Sequence, residues 1–172
     1  MELLFTVDMK DYDGNEPVVS KTACRGIIWK DGRLALVHSL TYGYYKFPGG
    51  GMKKMETFFD TLKREVREES GLDVIKGSEC GYGMVKLIVK GQMDYLLLQD
   101  SYYFTCEVSD IIHPQELTKK EAAAGFVLEF VDPEKAIAAN DAYLSTTSYG
   151  AVLRDNRVLR MLCGERDPQV HE

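Results

Sequence analysis

Three glutamates near the middle of the chain are spaced so that they could bind a metal ion together. Glu65, Glu68 and Glu69 lie at positions i, i+3 and i+4, which puts them on one face of a helix. Carboxylates are ligands that Mg²⁺ takes together with substrate phosphates. Residues 48–51 read Pro-Gly-Gly-Gly, so the backbone there can approach a ligand closely and present a carbonyl. The pattern indicates a Mg²⁺ or Mn²⁺ site for phosphate chemistry, with a solvated helix face as the alternative.

A helix must position these carboxylates, and the sequence marks both of its ends. Thr57 is a candidate N-cap, with Asp60 three residues later in the capping-box position. Gly71 is a helix stop. Between them, an apolar stripe with a spacing of four residues predicts the buried face; it consists of Phe58, Leu62 and Val66.

The spacing around the glutamates forms a longer motif over residues 50–72. It runs Gly50, five residues, Glu56, seven residues, Arg64-Glu65-Val66, one residue, Glu68-Glu69, one residue, Gly71-Leu72. This is the pattern G-x5-E-x7-R-E-U-x-E-E-x-G-U, with U aliphatic, complete at all nine defined positions. The sequence therefore resembles the Nudix hydrolase family of MutT-like proteins.

The resemblance implies a fold and a reaction. The expected fold is α/β, an α/β/α sandwich with a mixed β-sheet. The expected reaction is hydrolysis of a nucleoside diphosphate linked to another group, with water attacking phosphorus. Nucleoside triphosphates, nucleotide sugars and ADP-ribose are the candidate small-molecule substrates. The expected cofactor is Mg²⁺, with Mn²⁺ as the alternative. No second signature of a subfamily is present, so the substrate stays open.

Carried over by position, the resemblance also implies roles for individual residues. Arg64 and Glu56 would pair and orient the ligand carboxylates, as residues behind a metal site do. The implied metal ligands are the Gly49 carbonyl, Glu65, Glu68 and Glu69.

The general base is left open by the resemblance. It is either Glu65 or a glutamate from a later loop, where Glu121 is the candidate and Glu116 and Glu129 are the fallbacks. For Glu121, an exposed residue in a helical turn is an equally good interpretation.

Other side chains near the glycines have a structural and a functional interpretation. An aromatic run could stack on a nucleobase, but alternating aromatics more often pack in a core; it comprises Tyr42, Tyr44, Tyr45 and Phe47. Arg25 and Lys46 could contact phosphate or be solvated. His38 and His113 have no partner at a metal-ligand spacing.

The remaining elements follow from apolar patterning and turn signals. Runs rich in β-branched and aromatic residues predict strands over 2–8, 18–30, 33–37, 83–90, 94–108 and 125–131. Asp31-Gly32 predicts a type I′ hairpin, and Gly91-Gln92 a second hairpin. Helices are predicted over 134–143, after Asp132-Pro133, and over 151–162. One domain is expected over 1–164, followed by a flexible tail over 165–172.

Composition restricts the class of protein. The chain has 172 residues, a usual size for one domain, and a formal net charge of −6, which disfavours binding to nucleic acid. Four cysteines without a CxxC pair indicate a reduced, cytoplasmic protein. No signal peptide is expected, nor any membrane span, because no apolar run approaches about 20 residues. A homodimer is an expectation taken from the family alone.

Two other functions compete with hydrolysis. A non-catalytic nucleotide-ligand sensor could use the same fold, but it would not need a complete set of glutamates. A prenyl diphosphate isomerase would need further metal-binding histidines, and the three histidines here are scattered.

Overall fold

A computed structural model describes residues 1–91 and 93–165. The helices among these residues are α1 (Phe58–Ser70), α2 (Lys119–Ala123), α3 (Pro133–Leu144) and α4 (Gly150–Leu162). The strands are β1 (Leu3–Asp8), β2 (Val18–Ile27), β3 (Trp29–Lys30), β4 (Arg33–Ser39), β5 (Tyr45–Lys46), β6 (Gly49–Gly51), β7 (Leu72–Val74), β8 (Cys80–Lys90), β9 (Leu96–Thr105), β10 (Val108–Ile112) and β11 (Phe126–Val131). None of the helices in the described ranges is long and apolar enough to cross a membrane.

The largest sheet is mixed and has the strand order β1-β8-β9-β2-β6. β1 is parallel to β8 and β2 is parallel to β9, whereas the β8–β9 and β2–β6 pairs are antiparallel. A second sheet has the order β11-β4-β3, and β5 pairs with β4 at Val37 and His38. β7 and β10 form a separate two-stranded sheet. The mixed sheet predicted from the sequence is confirmed.

Helices cover the sheets from two sides, and a separate apolar cluster lies under each side. One cluster holds Ala136 and Ile137 of α3 and Val158 and Leu159 of α4 against strand residues such as Val85. The other holds Leu62 and Val66 of α1 together with Cys24, Ile28 and Phe104. The expected α/β/α sandwich is therefore confirmed, and the stripe predicted for α1 does face the core, except that Phe58 at its start is partly exposed.

The strand predicted over 18–30 divides into two strands in the structure. β2 runs beside β9 as far as Ile27, whereas Trp29 and Lys30 pair with β4 in the other sheet. Ile28 lies at the change of sheet, and its carbonyl accepts a hydrogen bond from the Ala35 N–H at 2.9 Å. Beyond it, the predicted Asp31-Gly32 hairpin is confirmed, because both turn residues have positive φ angles, 50° and 75°.

The second predicted hairpin joins β8 to β9, with Lys90 opposite Leu96. Gln92, which was predicted at its turn, lies outside the described residues. The strand predicted over 94–108 ends at Thr105, because Val108 begins β10 and pairs with β7 instead.

The helix predictions are confirmed apart from α2. α1 begins after Thr57, whose capping box with Asp60 is complete, and ends at Gly71 with a φ of 76°. α3 and α4 each begin one residue earlier than predicted. α2 lies in the segment predicted as a later loop and agrees with the alternative of a helical turn at Glu121; five residues are too few for periodicity to reveal it. Of the expected tail over 165–172, only Glu165 lies among the described residues.

Candidate active site

Residues 48–51, called here the glycine segment, lie directly against strand β2 and helix α1. Gly49 pairs with Arg25 across the β2–β6 ladder and has a φ of 146°. A side chain at Gly49 would overlap the Cys24 carbonyl, and one at Gly50 would overlap the Glu65 carboxylate. Glycine is required at residue 49, where the overlap is with backbone atoms, and the absence of a side chain at Gly50 lets the Glu65 carboxylate approach the backbone closely.

Arg64 lies at the centre of three carboxylates, those of Glu56, Glu65 and Glu68, which are called here the carboxylate array. Its guanidinium binds Glu56 through two bonds, from Nε to Oε1 at 2.6 Å and from Nη2 to Oε2 at 2.8 Å. Its Nη1 donates to Glu65 Oε1 at 2.5 Å and to Glu68 Oε2 at 3.2 Å, and its Nη2 donates to the Gly51 carbonyl at 3.0 Å. One cation thus holds three carboxylates and the glycine segment together.

The charges and hydrogen bonds of this array shift the pKa values of Glu56 and Arg64. Hydrogen bonds from Arg64 are the largest cause that lowers the pKa of Glu56 to about 2, against an opposing effect of burial. Hydrogen bonds to Glu56 and Glu65 raise the pKa of Arg64. The Glu56–Arg64 pair therefore stays ionised across the physiological range of pH.

Glu69 has different surroundings from the other two helix glutamates. It is buried, and it accepts hydrogen bonds from Lys46 Nζ at 2.6 Å and from the Gly49 N–H at 2.9 Å. Burial raises its pKa, although Lys46 opposes the shift. The Gly49 carbonyl accepts a hydrogen bond from Arg25 Nη1 at 3.2 Å. Both groups have protein partners here, so their role as metal ligands stays a prediction.

The carboxylates of Glu65 and Glu68 have the chemistry and the solvent access to bind a divalent cation. Glu65 and Glu68 both reach the same Arg64 nitrogen, so their oxygens converge, and the Glu68 side chain is 33% exposed. Hard oxygen donors of this kind suit Mg²⁺ or Mn²⁺. Across residues 1–91 and 93–165, no three His, Cys, Asp or Glu side chains are grouped closely enough to hold a metal ion. Arg64 explains the spacing, because its guanidinium lies between the carboxylates.

The three later glutamates lie at different places. Glu121 is at the third position of α2, where it completes a capping box by accepting from the Thr118 N–H at 2.7 Å. Glu116 is exposed, and its N–H donates to the Glu68 carbonyl at 2.7 Å, which puts it beside α1. Glu129 accepts from Tyr45 at 2.9 Å and Lys135 at 2.7 Å. Tyr45 and Glu68 are distant along the chain from the glutamates they contact, so no local pattern reveals those contacts, whereas Thr118 and Lys135 are three and six residues away from theirs.

The aromatic run before the glycines divides between core and surface. Tyr44, Tyr45 and Phe47 are buried, as the structural interpretation predicts, whereas Tyr42 is exposed. His38 stacks on Tyr45 with ring centroids 4.1 Å apart and contacts Glu129. His113 pairs with Asp73 at 2.8 Å. Both histidines in the described part of the chain therefore have a carboxylate partner.

A family model for the NUDIX domain matches residues 21–147. The chain belongs to the Nudix family. Members of this family hydrolyse nucleoside diphosphate derivatives and generally use divalent cations, so the chain is a Nudix pyrophosphohydrolase. No curated protein matches the sequence.

Solved structures show the same Nudix fold at low sequence identity. A NUDIX hydrolase from Nitrosomonas europaea superposes with a TM-score of 0.58 at 17% identity, over 88% of this chain and 94% of that chain. The ORF135 protein of E. coli gives 0.53 at 18%, over 90% and 96%. The MutT protein of Bacillus halodurans gives 0.51 at 20%, over 81% and 82%. The Nudix box thus lies in a Nudix fold.

Proposed function

We propose that this Nudix pyrophosphohydrolase is Mg²⁺-dependent and cleaves a diphosphate linkage in a nucleoside triphosphate, a nucleotide sugar or an ADP-ribose type of substrate. The observation that carries the proposal is the array in which Arg64 holds Glu56, Glu65 and Glu68 beside the glycine segment. Arg64 supplies one positive charge against three carboxylates, so the array keeps a net negative charge that favours a divalent cation. A cation bound there could in turn bind the phosphates of a substrate.

The protein's own residues would bind and orient the diphosphate. Glu65 and Glu68 would hold a divalent cation, and Glu69 would join them if Lys46 moved from it. The chemistry that the cation supplies when bound is neutralisation of phosphate oxygens and a lower pKa for the attacking water. The Arg64–Glu56 pair would keep the ligand carboxylates in position, and Lys46 and Arg25 would place positive charge beside the glycine segment.

The general base that accepts the water proton is a glutamate, and we propose Glu121 or Glu65. Glu129 is a weaker candidate, because Tyr45 and Lys135 already occupy its oxygens. Glu116 is close to α1 and stays the fallback. Glu121→Gln, Glu65→Gln and Glu116→Gln are compared, and only the variant that lacks the base should lower kcat by about 10²–10⁴-fold and lose the acid limb of the pH profile.

The test of function is release of phosphate or pyrophosphate from a panel of nucleotides with Mg²⁺ and with chelator. We expect metal-dependent release from one substrate class, and a loss of about 10²-fold or more in Glu68→Gln, since a ligand should matter at least as much as the residues behind it. The matched control is Glu134→Gln, an exposed position on α3. Native turnover in Glu68→Gln would contradict the proposal, and a folded, silent protein that still binds nucleotides would support a sensor.

We also propose that the domain extends over 1–164 and that the protein works in the reduced cytoplasm. In the described chain all four cysteines are free. Burial raises the pKa of both the Cys24 and the Cys106 thiol to about 12, so these two would stay protonated and inert. A homodimer remains an expectation from the family.

A further inference from the structure

In the described part of the chain, helices cover only part of one face of the largest sheet. On β8 and β9, the side chains that alternate with the buried Val85, Leu87 and Tyr103 point to the face that α1 borders. We call this surface the open face; its centre consists of Met84, Lys86 and Ile88 of β8 and Leu98, Asp100 and Tyr102 of β9. All six residues are only partly buried. α1 reaches the open face at one corner, where the Phe58 ring stacks on Tyr102 with centroids 4.5 Å apart.

The open face is apolar where a face in water is usually polar. Antiparallel strands with solvent on one side commonly alternate apolar residues inside with polar residues outside. Here the solvent side carries apolar side chains, namely those of Met84, Ile88, Leu98 and Tyr102. The flanking strands extend this surface with Leu3, which pairs with Met84 and is 48% exposed, and with Val18, which pairs with Leu96 and is 58% exposed. A contiguous apolar surface of this kind is typical of an interaction site.

The centre of the open face carries one charge of each sign. Lys86 and Asp100 lie opposite each other on β8 and β9, and Lys86 Nζ donates to Asp100 Oδ1 at 2.6 Å. Their side chains are 36% and 34% exposed, so both charges can still contact another molecule. The pair is neutral as a whole, whereas the chain has a formal net charge of −6. Two copies of an acidic chain repel each other least where they meet through neutral surfaces.

The register of β8 and β9 makes the open face complementary to itself. Consider two copies that pack face to face about a twofold axis, which runs along the strands between β8 and β9. Each position on β8 then faces the β9 position with which it pairs, but in the other copy. Lys86 faces the partner subunit's Asp100, and Ile88 faces the partner subunit's Leu98. Charges of opposite sign and apolar groups are therefore matched in both halves of the contact, a property that binding of a different protein would not require.

We propose that the open face is the interface of a homodimer in which Lys86 binds the partner subunit's Asp100. A contact between identical patches about a twofold axis is closed, so the assembly stops at two copies. Four strands about 4.8 Å apart and about seven residues long give a face of roughly 450 Å² per copy. Stable complexes bury about 800 Å² per partner. The dimer is therefore expected to dissociate in the micromolar range.

The oligomeric state of the full chain is the first test. Sedimentation velocity from about 5 to about 200 µM follows the equilibrium by mass action. We expect a monomer at the low end of this range and a dimer at the high end. A chain that remains a monomer throughout overturns the proposal.

Charge reversal then locates the interface. Lys86→Glu and Asp100→Lys each place like charges opposite one another, so each variant alone should dimerise at least about 10-fold more weakly than the native chain. An equimolar mixture of the two variants should recover dimerisation, because every contact between the two charged positions then joins opposite signs. The matched control is Lys30→Glu, which reverses a lysine whose ion pair with Asp110, at 2.9 Å, lies away from the open face. This control should dimerise as the native chain does.

Recovery in the mixture is a result that two misfolded variants could not produce. Dimerisation that persists in both single variants would overturn the proposal, since the interface must then lie elsewhere. Loss of the dimer in both variants without recovery in the mixture would overturn it as well, because the two positions then do not face each other. None of these measurements depends on turnover, so the proposed reaction and the proposed interface fail separately.

Discussion

At the scale of single residues, Arg64 decides whether the carboxylate array can exist. It binds Glu56 through two bonds and reaches Glu65 and Glu68 as well. Arginine suits this place because its planar guanidinium presents five donors in a fixed geometry, which lysine cannot do. The contrast with Glu69, which depends on Lys46, shows that neighbouring glutamates on one helix have separate partners.

The Glu56–Arg64 pair gives a prediction about pH. The pKa of Glu56 is about 2 in the folded chain, below its ordinary value of 4.5, so the pair stabilises the fold above pH 4.5 and this contribution is lost as the pH falls towards 2. We expect the difference in free energy of unfolding between the native protein and Glu56→Gln to be constant at neutral pH and to shrink below pH 4.5. Urea unfolding at several pH values measures it. A difference that is unchanged at pH 3 would contradict the prediction.

At the scale of elements, α1 is defined by signals at both of its ends. Its N-terminal capping box is local, but its C-terminal glycine also has a tertiary role. Gly71 has a φ of 76°, its carbonyl accepts from the His113 N–H at 2.9 Å, and a side chain there would overlap the His113 carbonyl. The end of the helix therefore requires glycine both for its conformation and for the close approach of residue 113.

Substitution of Gly71 separates these two requirements. Gly32 has nearly the same φ, 75°, and open space around it, so Gly32→Ala should cost only the conformational strain of about 1–2 kcal/mol. Gly71→Ala should cost more, because residue 113 must also move. Urea unfolding of the two variants measures both costs. Equal losses of stability would show that the contact with His113 contributes nothing.

At the scale of the whole molecule, the segment before the glycines is held by α3 and α4. The Asn140 side chain bonds both backbone groups of Tyr45, at 2.7 and 3.0 Å. The buried Asp155 accepts from the Phe47 N–H at 3.0 Å, the Tyr103 hydroxyl at 2.6 Å and Arg154 at 2.8 Å. Buried polar groups of the C-terminal helices thus position a segment that leads directly into the site.

Asp155 should therefore matter for the stability of the whole fold. Asp155→Ala leaves Arg154 buried without its carboxylate, and we expect a loss of about 3–5 kcal/mol in the free energy of unfolding. Tyr103→Phe removes two hydrogen bonds of the same network, the one that its hydroxyl donates to Asp155 and the one that it accepts from Arg154, and should cost about 1–3 kcal/mol. Chemical denaturation monitored by circular dichroism compares the two. A loss below 1 kcal/mol in Asp155→Ala would contradict the role given to this network.

The features that depend on residues close along the chain follow from local sequence patterns. Thr57, Asp60 and Gly71 predicted the limits of α1, Asp31-Gly32 predicted a hairpin, and the box predicted the family. These signals suffice because caps, turns and helix faces involve residues a few positions apart.

The tertiary structure sets which groups meet when they are far apart along the chain. It paired Glu69 with Lys46 and Glu129 with Tyr45, it divided the predicted strand at Ile28, and it gathered Tyr42 and Tyr149 around one cavity. Such contacts join elements that are far apart in the sequence, and no local pattern encodes their distance. The box therefore identified the chemistry of the site, whereas the packing of the sandwich decided what surrounds it.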